Sequence, residues 1–386
     1  MQFNLKLTEK GAIYVTSQQP VDIHGKPYNR SLLVGVLLIG TFCTILNQTL
    51  LTTALPTLMK EFDISASSVQ WLTTGFLLVN GIMIPISAWL INKFSSKKLY
   101  ITAMSTFLIG TIICFVAQDF GMLLTGRLVQ AAGVGVSMPL LQTIMLSIFP
   151  PEKRGAAMGT TGIVIGLAPA LGPTLSGWII DSYTWRDLFG MVIPIVVLVL
   201  ILASFLMKNV IQLSNPSIDV LSVILSTLGF GSLLYGFSSV GDKGWGSPQV
   251  YGFLIVGAIV LCLFTYRQLH LEQPFLELRV FKSKVFTVAA ILSGVTNMAM
   301  IGAEMVLPLY IQNIRGESAF HSGLMLLPGA LVMGLMMPVT GRIFDKIGAR
   351  RLAITGMFIL TAATLPFAFL TKATPIIYII VLYAIR

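Results

Sequence analysis

Of the fifteen acidic residues in the 386-residue chain, Glu304 alone falls well inside a long apolar run. Asn297, Met300, Ile301 and Glu304 follow one another at three- and four-residue spacing, so a helix sets them on one face. A carboxylate can bind and release a proton, and one placed among apolar residues is a functional-site hypothesis by default. The competing reading is a glutamate near the end of its run, marked by Pro308, that reaches water. Arg127, part-way into another run, carries a charge that cannot be titrated away and needs an anion or several carbonyls. Gln130 lies one turn on, and Gly126 and Gly133 allow a neighbouring backbone to come close. Asn47 and Gln48 place two amides in the first apolar run. Asn47 reads as a hydrogen-bonding wall residue or as a helix-packing asparagine.

Other chemistries lack their patterns. Cys43, Cys114 and Cys262 stand at unrelated spacings inside apolar runs and read as small packing residues. His24, His270 and His321 show no cysteine or acid at ligand spacing, so no metal site is expected. The chain has no glycine-rich loop ending in Lys-Ser/Thr, which argues against ATP-driven pumping by this chain alone. With no nucleophile elbow and no paired carboxylates inside the runs, neither an enzyme nor a cofactor is expected.

The elements that must position these residues are membrane-spanning helices. Hydrophobic residues make up 55% of the chain, charged residues 10%, and mean hydropathy is +0.86. Soluble domains carry roughly 25% charged residues. Apolar runs occur at 32–57, 69–91, 99–118, 120–149, 159–180, 188–207, 219–240, 250–269, 285–313, 320–341, 352–371 and 375–386. This predicts an all-α integral membrane protein. Lysine and arginine crowd the N-terminal tail and every second connection: 93–98, 153–154, 208, 267–284 and 342–351. The alternate connections hold only Lys60, Arg186, Lys243, Arg315 and Lys372, which predicts a cytoplasmic N-terminus in the cell membrane. The net charge of +10 then follows from topology, and a nucleic-acid partner is not expected.

An internal repeat divides the chain. Ala54-Leu55-Pro56 recurs as Val306-Leu307-Pro308 at an offset of 252, and Pro85 recurs as Pro338 at 253. Ala88, Asn92, Lys93, Ser95, Lys97 and Lys98 recur as Gly341, Asp345, Lys346, Gly348, Arg350 and Arg351, also at 253. Eight spans separate the copies, so the repeat is parallel, about an axis along the membrane normal. The expected organisation is a tail (1–30), a six-span bundle (31–208), two inserted spans (209–272) and a second, incomplete bundle (273–386). The fifth run, GIVIGLAPALGPTLSG, carries breakers at Gly162, Gly166, Pro169, Gly172, Pro173 and Gly177. In lipid, neighbouring helices tolerate such residues, and small ones let backbones approach, so it reads as a packed, kinked hinge.

That segment resembles the antiporter signature of the major facilitator superfamily, and with Trp178, Trp185 and Arg186 behind it resembles the fourteen-span drug:proton antiporters. The resemblance implies two six-helix bundles plus two central spans. It further implies cavity-lining first and ninth helices, a fourth-span arginine tied to proton coupling, and cytoplasmic gate loops. The gate loops fall at Asn92, Lys93, Lys97 and Lys98 and at Gly341, Asp345, Arg350 and Arg351. Where the family carries a first-span aspartate, this chain has Asn47, so a proton role there is vacant or passes to Glu304. Asn47, Gln48, Gln130, Asn297 and Met300 become the expected cavity wall, with Glu304 and Arg127 as the coupling pair. The resulting expectation is a proton-coupled exporter of lipophilic drugs or other amphipathic small molecules, of the multidrug-efflux type that confers antibiotic resistance. A metabolite exporter or importer of the same fold and a non-transporting membrane sensor remain as alternatives. The last run has about eleven residues, roughly 16 Å against a core of about 30 Å. Arg386 lies where the second half should restart the pattern around Arg127. These two features predict a chain that stops within its twelfth span.

Overall fold

The computed structural model describes residues 6–7, 13–14, 20–23, 25–150, 153–214, 219–272, 274 and 276–386. His24 and Lys10 lie outside the described residues, as do the side chains of Asp242, Pro338 and Asp345. Apart from a two-residue strand pair in the tail, β1 (Lys6–Leu7) with β2 (Ile13–Tyr14), the regular structure is helical. The helices are α1 (Arg30–Phe62), α2 (Ala66–Lys93), α3 (Ser96–Phe115), α4 (Phe120–Ile148), α5 (Arg154–Ser182), α6 (Asp187–Gly190) and α7 (Val192–Leu206). They continue with α8 (Val220–Lys243), α9 (Pro248–His270), α10 (Lys284–Leu309), α11 (Ala319–Thr364) and α12 (Ile376–Ile385). Among the described residues, eleven segments are long and apolar enough to cross a membrane, and Ile376–Ile385 is a shorter apolar helix. In hydrocarbon the backbone must satisfy itself, so these apolar runs fold as helices.

Side-chain caps fix several starts: Asn29 accepts from Leu32 N, Asp119 from Met122 N and Ser318 from His321 N. One boundary differs from the sequence expectation. Pro56 does not close the first helix, which runs on to Phe62 and ends on Asp63 in the left-handed conformation. A proline inside a helix costs one hydrogen bond, and the flanking turns of α1 carry it. α11 is two helices joined across a kink at Gly348, whose φ of 79° suits glycine, and it holds two candidate spans, Phe320–Gly341 and Ile347–Phe369, with the expected basic connection between and around them.

A large core binds α1–α7, including Leu50, Leu72, Phe76, Met104, Phe107, Leu140 and Phe189. Around α10–α12 the core is small: Leu307, Tyr310, Ile311, Met325, Leu326 and Ile379. α8 and α9 form a hairpin that leans on α2, with Tyr235 against Trp71 at 5.7 Å between ring centroids. α5 and α11 run antiparallel against each other. A Cβ at Gly162 would lie 2.7 Å from Met337 Sδ, one at Gly166 3.2 Å from Gly334 Cα, and one at Gly323 2.5 Å from Thr174 Cα. Thr174 Oγ1 donates to Gly323 O at 3.0 Å. α5 is one continuous helix despite Pro169 and Pro173. Gly172 faces its own bundle, where a Cβ would overlap Thr49 Oγ1 on α1. At 3.6 residues per turn, six residues rotate Gly172 about 240° from Gly166, onto the other side of the helix.

Candidate functional site

Arg127 is 1% exposed and sits at the centre of a buried polar network. The close approach of α3 and α4 sets it there: at Gly126 a Cβ would lie 2.6 Å from Cys114 Sγ and 2.9 Å from Gly110 O. Its NH1 donates to Asn47 Oδ1 and to Gln130 Oε1, each at 2.8 Å, and its Nε to Leu72 O at 3.4 Å. The guanidinium lies over the Phe76 ring, 4.3 Å from the centroid. Gln130 Nε2 passes the chain on to Thr111 Oγ1 at 2.8 Å, and Thr111 in turn donates to Phe107 O at 2.7 Å. Four helices are joined through one cation whose partners are all neutral. A fixed charge in a dry interior requires this degree of satisfaction.

Three residues singled out in the sequence, Asn47, Arg127 and Gln130, therefore converge. Asn47 and Gln130, expected on the cavity wall, are 1% and 0% exposed, and both accept from the guanidinium. Gln48, half-buried on the next position of α1, is outside this network.

Glu304 lies in a different place. It lines a cavity of about 310 Å³ where α5, α10, α11 and α12 meet, with Pro169, Met300, Met333, Met336, Tyr383 and Arg386. Asn297 and Met300 line a neighbouring cavity of about 490 Å³ with Thr296, Met357 and again Arg386. Asn297 Nδ2 donates to Ser293 O one turn back, at 2.8 Å. Arg386 donates through Nε to Thr364 Oγ1 at 2.9 Å and through NH2 to Ala299 O. The charged neighbour of Glu304 is thus Arg386. Arg127 is enclosed in the other bundle and shares no hydrogen bond or ion pair with Glu304 among the described contacts. Sequence reasoning passed over Thr111, Phe76 and Tyr383, which carry no pattern of their own.

The remaining motif residues do local work. Lys97 donates through its backbone to Asn209 Oδ1 at 3.3 Å and through Nζ to Ser204 O. Lys93 lies 4.6 Å over the Trp89 ring, and Asn92 Nδ2 donates to Ala88 O at 2.9 Å. Lys98, Gly341, Arg350 and Arg351 are exposed. Trp185 packs edge-on against Phe62 at 5.6 Å, while Arg186 donates twice to Ala117 O, at 3.2 and 2.8 Å, and approaches Glu61 at 3.8 Å. His321 does have an acid one turn away: its Nδ1 is 3.1 Å from Glu317. Among the described residues no group of three potential metal ligands is assembled.

The family described as Major Facilitator Superfamily matches residues 37–385. An uncharacterized MFS-type transporter of Bacillus subtilis, YcnB, is 56% identical over 364 residues, covering 94% of this chain and 77% of its own length. The lincomycin resistance protein LmrB of Listeria monocytogenes is 43% identical over 353 residues, covering 92% of this chain and 75% of its own length. Among solved structures, a POT family transporter in complex with a thioalcohol-conjugated peptide superposes with a TM-score of 0.67 at 16% identity. That match covers 95% of this chain and 82% of the other, and it speaks to the fold alone.

Proposed function

The chain belongs to the major facilitator superfamily of multi-pass membrane transporters, and from that premise we propose that it is a proton-coupled exporter of lipophilic or amphipathic small molecules working by alternating access. The observation that carries this reading is Glu304, a carboxylate within a span, lining a methionine-rich cavity beside Pro169 of the glycine- and proline-rich α5. A carboxyl there can hold a proton on one side of the membrane and release it on the other. One proton moving down the potential yields about 2.3 kcal/mol per 100 mV, enough to expel a compound against a modest gradient. Drug-like cargo is favoured by the resemblance to LmrB, whose name records lincomycin resistance. The fourteen-span plan is supported by α8 and α9 standing between the two copies of the repeat. In this reading α5 and α11 form the sliding contact between the bundles. The N-terminus and Lys97 face the cytoplasm of the cell and Glu317 faces outward; impermeant labelling of Lys97→Cys and Glu317→Cys variants from opposite sides checks that orientation.

Everted vesicles with an acid lumen test the exchange. Adding lincomycin or tetraphenylphosphonium should raise luminal pH as the compound enters and protons leave. Uptake that proceeds unchanged after the proton gradient is collapsed would overturn the proposal.

A further inference from the structure

The seam between α5 and α11 is built differently at its two ends. Nearer the start of α5 it rests on glycines: Gly162 faces Met337, and Gly166 faces Gly334. Nearer the end of α5, hydrogen bonds cross from one bundle to the other. Thr174 Oγ1 donates to Gly323 O at 3.0 Å, and Asp181 Oδ2 accepts from Phe320 N at 3.3 Å. Residues 174 and 181 are two helical turns apart, so both side chains lie on the face of α5 that meets α11. Phe320 is the second residue of α11, and its N–H is one of those a helix cannot satisfy by itself. Ser318 caps the N–H of His321 from within the same bundle, whereas Asp181 caps that of Phe320 from the other. A carboxylate is the favoured partner at this end of a helix dipole.

Asp181 is exposed and lines a polar pocket of about 450 Å³ between the ends of the bundles, with Lys60, Glu61, Gln312 and Glu317. The other two acids there have partners of their own: Glu61 lies 3.8 Å from Arg186, and Glu317 lies 3.1 Å from His321. A carboxylate at the rim of such a pocket exchanges a backbone N–H for water at little cost. The glycine half of the seam has surfaces that slide by small steps, whereas a hydrogen bond is lost over a short displacement. We propose that Thr174 and Asp181 form a clasp that holds this end of the seam shut, and that its release sets how often the protein opens on this side. On the orientation proposed above it is the outward side, where cargo leaves. Two partly wet hydrogen bonds bias such an equilibrium several-fold without locking it, as a gate that opens in every cycle requires. The inference rests on alternating access.

Spin labels on Lys60→Cys and Ile314→Cys, both exposed and in opposite bundles, report the opening. The whole chain, with Cys43, Cys114 and Cys262 replaced by alanine, is placed in lipid nanodiscs, and pulsed electron paramagnetic resonance gives the ratio of long to short distances. The parent should show both, with the short one in excess. Thr174→Val with Asp181→Ala should raise the ratio at least about tenfold. If that pair fails to fold, Asp181→Ala alone, at an exposed position, should raise it at least about threefold. Thr174→Ser, which keeps the donor, should hold the parental ratio. A ratio equal to the parent's in the double variant and in Asp181→Ala would overturn the clasp. So would a rise in Thr174→Ser as large as in Thr174→Val, since lost packing would then be the cause. The two readings separate in the parent itself. One unchanging distance at about pH 6 and about pH 8, with and without tetraphenylphosphonium, would overturn alternating access and the clasp with it, whereas two distances whose ratio the variants leave unmoved would overturn the clasp alone.

Discussion

Arg127 and Arg386 occupy the fourth helix of their respective bundles and reach equivalent positions on the first, yet their surroundings differ in kind. Around Arg127 every partner is neutral and buried: an asparagine, a glutamine, a carbonyl and a phenyl ring. Around Arg386 lie two cavities and a carboxylate. The packing follows the same division, with a broad core tying α1–α7 together and a small one serving α10–α12. A charge that cannot change is best locked into a scaffold. A charge that must change belongs where water, protons and cargo can reach it. On this account the first bundle holds geometry and the second carries the titration.

The largest break in that comparison should come from Arg127→Ala. It leaves the Asn47 and Gln130 amides without their partner in a dry interior, and should cost about 3–5 kcal/mol. Thermal unfolding in detergent should report a large drop, whereas Arg386→Ala, at a half-buried position beside cavities, should lower the midpoint far less. Equal losses would mean that the first network is no more structural than the second.

The glycines of α5 sharpen the same distinction. Gly172→Ala sets a methyl group against Thr49 within one bundle, where overpacking costs about 1–3 kcal/mol of stability. Gly166→Ala faces Gly334 across the contact between bundles at 3.2 Å, tight enough to hinder sliding with little effect on the fold. Thermal midpoints and transport rates measured side by side should therefore order the two variants oppositely.

The smallest effect belongs to the α8–α9 hairpin, which serves as a control outside both arginine sites. Arg267 grips Asp219 through two hydrogen bonds of 3.0 Å, and Ser222 N donates to it at 3.2 Å. Partial burial alone would push the Asp219 carboxyl upward, but the hydrogen bonds from Arg267 and Ser222 outweigh it and hold the group below the ordinary aspartate range. The stabilisation is thus present above that range and fades as pH falls through the lowered value. Asp219→Asn should cost at most about 1 kcal/mol near neutral pH, with its difference from the parent vanishing in strong acid. A midpoint difference that persists there would assign the effect to the cap on α8 instead of the ion pair.

Much of this was legible in the residues. Apolar length marked the spans, because hydrocarbon permits few folds. The cost of burying Arg127 and Glu304 singled them out. The offset of 252 to 253 tied α1 to α10 before any contact was known. What pattern could not give was partnership. Asn47 and Arg127 are eighty positions apart, and their meeting depends on how α3 and α4 close upon glycines. The same limit hid that Gly172 faces α1, a matter of rotation along α5, and that Glu304 shares its cavity with Arg386. Arg386 carried a usable signal, since it restarts the motif around Arg127, and its partners Ala299 and Thr364 stand at the repeat offsets from Asn47 and Thr111.

The central claim is that Glu304 carries the exchanged proton, and one variant tests it most directly. Everted vesicles bearing Glu304→Gln, a mimic of the permanently protonated carboxyl, are compared with the parent for accumulation of tetraphenylphosphonium against its gradient under an imposed proton gradient. The account predicts that uphill accumulation falls by at least about tenfold while downhill exchange of preloaded compound persists, since only the coupling has been removed. Accumulation by Glu304→Gln equal to the parent's would contradict it and place the coupling site elsewhere in the chain.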